Sequence, residues 1–353
     1  MASISSPIFE AVPTALPAAS PERLRDSHGR AITDLRVSVT DRCNYRCVYC
    51  RTGNDGAQYS ELPIADYARI IRVFISLGIE KVRLTGGEPL LRKGLVELIE
   101  EISCLDPKLD IALTTNGHLL EDLAASLHNA GLNRITVSMD AVDPEIFAGI
   151  TRVPGSYDRV LRGVRAAQAA GLGPIKINAV LLRGFNDNQI EAFARFSREE
   201  NVIVRFIEYM PLEESSADPN ARAWTPEIVV PMDEIIARLQ QFRPLVALPA
   251  NHASETARRF TFDDGLGEIG IIAPVSRPFC GHCSRVRLTS DGKVRTCLFS
   301  QSDHDLLGFM RRGASDADMA AWIRDVVMHK EARHHIGEPG FLKPSRSMVH
   351  IGG

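Results

Sequence analysis

The chain has no apolar run of the ~18 residues that a membrane-crossing helix needs. Its first thirty residues lack a charged start followed by an apolar stretch, and the first arginine is Arg23, so neither a secretory nor an Arg-rich transit signal is expected. Rich in Ala, Ser and Pro, residues 1–30 read as a flexible arm. Net charge is scarce too. At −3 it gives no general reason to expect nucleic acid or an anionic membrane as partner, so any basic site must be local. No P-loop occurs, and no strand-to-helix dinucleotide fingerprint is expected. A fourth thiol is also missing, twice. Of seven cysteines, six fall in two triplets, each without a fourth member. An odd count in tight clusters argues against a disulfide framework. Cys104, left over, lies in an amphipathic run and is expected to be a buried small hydrophobe.

What is present is a regular alternation. Strand-like runs at 35–40, 81–87, 110–117, 134–140, 175–182 and 203–211 alternate with helical periods, the last at 232–242. Six strand–helix units predict a parallel sheet with helical crossovers, an incomplete (β/α)6 barrel over residues 31–245. From 246 to 353 the pattern changes to an α+β extension. Two hairpins are expected there, the second turning at Asp291-Gly292, followed by helices near 303–312 and 315–330. Parallel α/β folds bind ligands at the C-terminal ends of their strands. Cys43, Gly86-Gly87-Glu88-Pro89, Thr114-Thr115-Asn116-Gly117 and Ser138 all fall at such ends.

The stretch SVTDRCNYRCVYC, residues 38–50, spaces Cys43, Cys47 and Cys50 as C-x3-C-x2-C. Thiolates suit zinc or iron–sulfur clusters. A structural zinc asks for a fourth protein ligand, and the nearest histidine, His28, sits back in the arm. Three thiolates can instead hold three irons of a [4Fe–4S] cube and leave the fourth open to a small molecule. The second triplet, Cys280, Cys283 and Cys297, is C-x2-C-x13-C. With His282 and His304 nearby, a Cys3His zinc site competes there with a second cluster. Arg285, Arg287, Lys293 and Arg295 lie between these thiols. They read either as a solvated hairpin face or as a grip on an anionic substrate, whose phosphate oxygens suit the guanidinium fork.

The first triplet, with Tyr49 before its last cysteine and GGEP after the next strand, resembles the radical S-adenosylmethionine (SAM) superfamily. More narrowly, LRVSVTDRCNYRCVYC, KVRLTGGEPLLR, KINAVLLRGFND, RFIEYMP, FCGHCSRVRLTSDGKVRTCL and the terminal IGG resemble the GTP 3′,8-cyclase family of molybdenum cofactor biosynthesis. The likeness runs from about residue 33 to the end. It implies a TIM-like partial barrel, SAM and two [4Fe–4S] clusters. It also implies radical cyclisation of GTP: hydrogen abstraction from the ribose C3′, then closure of C3′ onto the guanine C8.

Carried over residue by residue, the resemblance makes Cys43, Cys47 and Cys50 the ligands of the SAM cluster and Cys280, Cys283 and Cys297 those of a second cluster that holds the guanine. Tyr49, Gly87, Ser138 and Met210 would contact SAM, and Gly87 is expected to be glycine so that the backbone can approach the methionine amino group. Arg36, Arg83, Thr114, Lys176, Arg205, Arg285 and Arg287 would contact GTP, and the Gly352-Gly353 tail would join Arg285 and Arg287 in the active site. Taken singly, Arg83, Lys176 and Arg205 read as carboxylate partners and Met210 as packing. Arg51-Thr52 depart from the family's apolar residue and proline after the third cysteine. The resemblance further implies an external electron donor, a downstream cyclic pyranopterin monophosphate synthase, a homodimer and a reducing cytoplasm. A twin-cluster radical SAM peptide-modifying enzyme is the second reading, and a zinc-stabilised binding module the third.

Overall fold

Strict side-chain alternation builds the sheet. In β1 (Asp34–Ser38), Leu35 and Val37 are fully buried under helices while Asp34 and Arg36 point the other way. The same two-residue period recurs in β2 (Lys81–Thr85), β3 (Asp110–Thr115), β4 (Arg134–Ser138), β5 (Lys176–Leu181) and β6 (Ile203–Glu208). A computed structural model describes residues 23–50, 59–212, 222–344 and 346–351. The six strands run parallel in sequence order, each pair joined by a crossover of at least one helix. Helix boundaries fall close to those expected: Met232–Phe242 matches 232–242, and Ser156–Ala169 begins where Gly155, at φ +70°, turns the chain. The helix Pro144–Thr151, capped by Asp143, is not expected from periodicity.

The C-terminal region extends this sheet. β7 (Leu245–Leu248) and β8 (Arg258–Phe262) lead antiparallel into β9 (Glu268–Ile272), which lies parallel to β6. β10 (Arg285–Leu288) lies parallel to β1 at the opposite edge and is followed by antiparallel β11 (Lys293–Arg295) and β12 (His304–Asp305). The incomplete barrel is thus flanked on each side by a parallel strand from the extension, and residue 245 marks a change of connectivity within one continuous sheet. Both expected hairpins are present. The spacing Gly265-Leu266-Gly267-Glu268-Ile269-Gly270 belongs to the turn and strand of β8–β9; no helix follows it, so it makes no phosphate cradle.

Two expectations need correction. Residues 23–30 are not a free arm. Leu24 is buried and its N–H bonds the Leu77 carbonyl, while Arg30 pairs with Asp26 at 2.6 Å and donates to the carbonyls of Cys280 and Ala332 at 2.8 Å each. Residues 1–22 lie outside the described part. Cys104 is exposed: it caps the helix Leu95–Ser103, two positions past the end of the buried stripe of Leu98, Ile99 and Ile102.

Candidate active site

The first triplet sits in the loop after β1, at the C-terminal mouth of the barrel. Cys43, Cys47 and Cys50 are half-buried and form no disulfide. Asn116, just past β3, donates to Asn44 Oδ1 at 2.7 Å and stands 4.0 Å from the Cys43 sulfur. The Tyr49 hydroxyl donates to Asp140 Oδ2 at 2.6 Å, and its ring meets Tyr209 edge-on at 6.0 Å. Asp140 is buried, which pushes its carboxyl up to about 6 against the opposing pull of Tyr49 and the Val180 N–H. The thiol loop is therefore tied to the ends of three other strands. Among the described residues, no three His, Cys, Asp or Glu side chains converge as a single metal ion requires. Three separate thiols without a fourth ligand suit a larger iron–sulfur body better than a closed zinc site.

The GGEP turn packs against this loop, backbone to backbone. A Cβ on Gly87 would stand 2.2 Å from the Arg42 carbonyl oxygen, and one on Gly86, at φ +150°, 2.2 Å from that of Thr40. The need for glycine therefore arises first within the chain, where this turn abuts the residues leading to Cys43, rather than from the approach of a ligand. Glu88, fully buried, locks the turn. It accepts from the Leu90 N–H at 2.9 Å, the Asn116 N–H at 2.7 Å and the Thr115 hydroxyl at 2.6 Å. Sequence reasoning passed over Glu88 as a turn residue.

The candidate substrate residues are spread along the barrel interior rather than gathered at its C-terminal mouth. A cavity of about 350 Å³ runs inside the barrel, with Met210 on the mouth side and Lys81 and Arg134, the first residues of their strands, at the other end. Register explains it: Arg36 stands beside Arg83 on β2 and Arg287 on β10, and Asn178 beside Arg205. Barrel interiors are ordinarily filled with branched apolar side chains; here many inward positions are charged and the space stays open. Arg36, Arg83, Thr114, Lys176, Arg205, Arg285 and Arg287 all line it, as do Lys81, Arg134 and Lys330, which the sequence did not single out. The lining acids are Asp34 and Glu255.

Polar contacts hold the cations apart. Arg83 donates to the hydroxyls of Thr114 at 3.0 Å and Thr136 at 3.3 Å, and Arg205 to Asn178 Oδ1 at 2.9 Å. Among the described residues, neither these two nor Arg36 and Lys176 form an ion pair with a carboxylate. Burial, then repulsion from Arg285, lowers Arg36 to about 10; burial, then Arg83 and Arg36, lowers Arg205 to about 9. Asp34 and Glu255 offset only part of this buried positive charge, and an excess of like charge is costly to bury, so the cavity calls for a polyanion.

The second triplet opens onto the same cavity. Cys280, Cys283 and Cys297 line it beside Phe279, Phe299 and His334. Burial opposes ionisation of Cys283, but Arg285 and Lys330 outweigh it and bring the thiol down to about 6. Arg285 Nε donates to the Cys283 sulfur at 3.4 Å. Neither His282, which is exposed, nor His304 lines the cavity with these thiols, and no metal-ligand group forms there among the described residues, which disfavours the zinc alternative. These thiols fit an iron–sulfur body ligated by three cysteines.

Of the remaining expected residues, Ser138 ends β4 without lining the cavity. Gly352 and Gly353 lie outside the described residues, as does the Arg51-Thr52 departure. The C-terminal segment does reach the cavity: Met348 lines it, and Arg287 donates to the Ile351 carbonyl at 3.1 Å.

Comparison with known proteins agrees with this geometry. Residues 37–197 match the family described as the Radical SAM superfamily, and residues 202–336 match Molybdenum Cofactor Synthesis C. The chain is 43% identical over 311 residues to the GTP 3′,8-cyclase of Acidothermus cellulolyticus, covering 86% of this chain and 84% of that protein. It is 41% identical over 333 residues to that of Moorella thermoacetica, covering 94% and 100%. In fold it is similar to Streptococcus suis SuiB bound to S-adenosylmethionine, with a TM-score of 0.60, 14% identity and coverage of 89% of this chain and 76% of that one. That likeness establishes the barrel with its extension. The sequence relatives, far closer, settle the rest: the chain belongs to the GTP 3′,8-cyclase family of the radical SAM superfamily.

Proposed function

We propose that the protein converts GTP to (8S)-3′,8-cyclo-7,8-dihydroguanosine 5′-triphosphate, the first step of molybdenum cofactor biosynthesis. The observation that carries this reading is the cation-lined, counterion-poor cavity that opens onto three free thiols. Arg36, Arg83, Lys176 and Arg205 bind the triphosphate, the arginines through paired N–H donors and Lys176 as a point charge. Phe279 and Phe299, beside Cys280, Cys283 and Cys297, offer apolar faces to the base. Cys43, Cys47 and Cys50 would hold the [4Fe–4S] cluster of the SAM site, with Tyr49, Gly87, Ser138 and Met210 around it. A cluster there would supply the electron for reductive cleavage of SAM to a 5′-deoxyadenosyl radical. The walls of the barrel shield the reacting ribose from water and hold C3′ and C8 of one bound nucleotide together, which makes closure intramolecular.

The second triplet is read as the site of a second [4Fe–4S] cluster. The reading also brings an external electron donor, a downstream cyclic pyranopterin monophosphate synthase, a homodimer and a cytoplasmic location, all on family grounds. A peptide-modifying enzyme is disfavoured by the density of cations in the cavity, which suits a small polyanion. The test is anaerobic turnover of reconstituted protein with SAM, a strong reductant and GTP. Stoichiometric conversion of GTP to a cyclised triphosphate alongside 5′-deoxyadenosine is expected. Deoxyadenosine formed while GTP stays intact would reject the substrate, and neither product from iron-loaded protein would reject the chemistry.

A further inference from the structure

One set of contacts joins the C-terminal segment to both thiol-bearing regions. Arg346 is buried and clamped. It donates to both oxygens of Asp291 at 2.9 Å each and to Asp303 Oδ2 at 2.5 Å, and its guanidinium lies 4.3 Å over the Tyr59 ring. Asp291 forms the turn of the β10–β11 hairpin, which carries Arg285 and Arg287 and leads to Cys297. Tyr59 belongs to the other region: its N–H bonds Asp41 Oδ2 at 3.0 Å, two residues before Cys43. Past Arg346 comes the short helix Met348–Ile351, whose Val349, His350 and Ile351 are buried. The His350 ring meets Tyr59 edge-on at 5.0 Å, and the Ile351 carbonyl accepts from Arg287.

We propose that Arg346 is a positioning residue. Held by Asp291 and Asp303 and stacked on Tyr59, it seats residues 346–351 so that the Ile351 carbonyl aims the Arg287 guanidinium into the cavity. An arginine among other cations is pushed by their repulsion, and a fixed acceptor on one of its nitrogens decides which way its remaining donors face. A bidentate ion pair reinforced by a third oxygen and an aromatic face is a rigid seat, because the planar fork loses little freedom per bond formed. The consequence for substrate rests on the GTP reading above; the seat itself does not.

The test uses full-length reconstituted protein and the variants Arg346→Gln, Arg346→Lys and Tyr59→Leu, with iron content as the check on folding. Amide exchange of residues 347–351, measured without nucleotide, is expected to quicken about tenfold in Arg346→Gln and Tyr59→Leu and less in Arg346→Lys, which keeps the charge but not the fork. GTP binding should weaken about tenfold in Arg346→Gln. In an Arg287→Lys background the same change should add less than about twofold, because two residues acting through one contact are not additive. Unchanged exchange in both Arg346→Gln and Tyr59→Leu would overturn the proposal, as would multiplying effects in the double variant. If the wild-type protein bound no GTP, the functional reading would fail, and exchange alone would decide the seat.

Discussion

Lys176 holds its ammonium among arginines. Burial, then repulsion from Arg205 and Arg134, lowers it from 10.5 to about 8; Lys81 falls to about 8 by burial, even with Asp34 at 3.7 Å. The folded pKa lies below the unfolded one, so between pH 8 and 10.5 the unfolded chain binds more protons. These lysines therefore cost stability below about pH 8, and the cost fades as pH rises through that window. A bound polyanion reverses the preference, since it needs both ammonium groups charged. GTP affinity should thus fall as pH rises from about 7 to 9, and binding at about pH 9 should take up protons. Calorimetry in buffers of different ionisation enthalpy measures both. An affinity that stays flat over that range would remove the lysines from the site. At this scale the cysteines were legible, because thiols are rare and their chemistry dictates their spacing. Lys81 and Arg134 were not, because a charged residue at the start of a strand looks the same whether it meets solvent or a lumen.

Strands decide that difference through register. Opposite Arg205 on β6 stands Gly270 on β9, and a Cβ there would come within 2.9 Å of Arg205 Cγ and 3.2 Å of Ala257 Cβ. Glycine at 270 is room for an arginine. Gly270→Val should displace Arg205 and weaken GTP binding about tenfold while iron content holds; equal affinity in equilibrium binding would show that Arg205 does not grip the substrate. The GGEP turn offers a second case. Glu88 uses both oxygens as acceptors for three donors, and a glutamine has only one. Glu88→Gln should therefore cost about 1–3 kcal/mol, seen as a lower denaturation midpoint, and an unchanged midpoint would mean the donors find other partners. The six barrel strands were readable within a few residues, since apolar outward residues recur at every second position while many of the positions between them are polar. The parallel pairing of β9 with β6 and of β10 with β1 was not readable. Local periodicity identifies a hairpin, but not the distant strand whose edge it covers.

Across the whole molecule the two triplets occupy different ends of one construction. The first lies at the mouth, where loops after β1, β3, β4 and β6 meet; the second lies on the extension that covers β1. The cations proposed to grip a triphosphate belong mainly to the barrel, so binding and the second set of thiols should be separable by mutation. Replacing Cys280, Cys283 and Cys297 with serine should halve the iron, from about eight to about four per chain. It should leave reductive cleavage of SAM to 5′-deoxyadenosine in place and abolish GTP cyclisation. GTP affinity should fall only about tenfold, because Arg36, Arg83, Lys176 and Arg205 remain. Replacing Cys43, Cys47 and Cys50 should do the opposite: nucleotide still binds, and no deoxyadenosine forms. Iron analysis, nucleotide binding and product analysis on the same preparations separate these outcomes. Iron that stays constant when the second triplet is removed would mean those thiols hold no cluster, and the guanine would then have to be held by protein side chains alone.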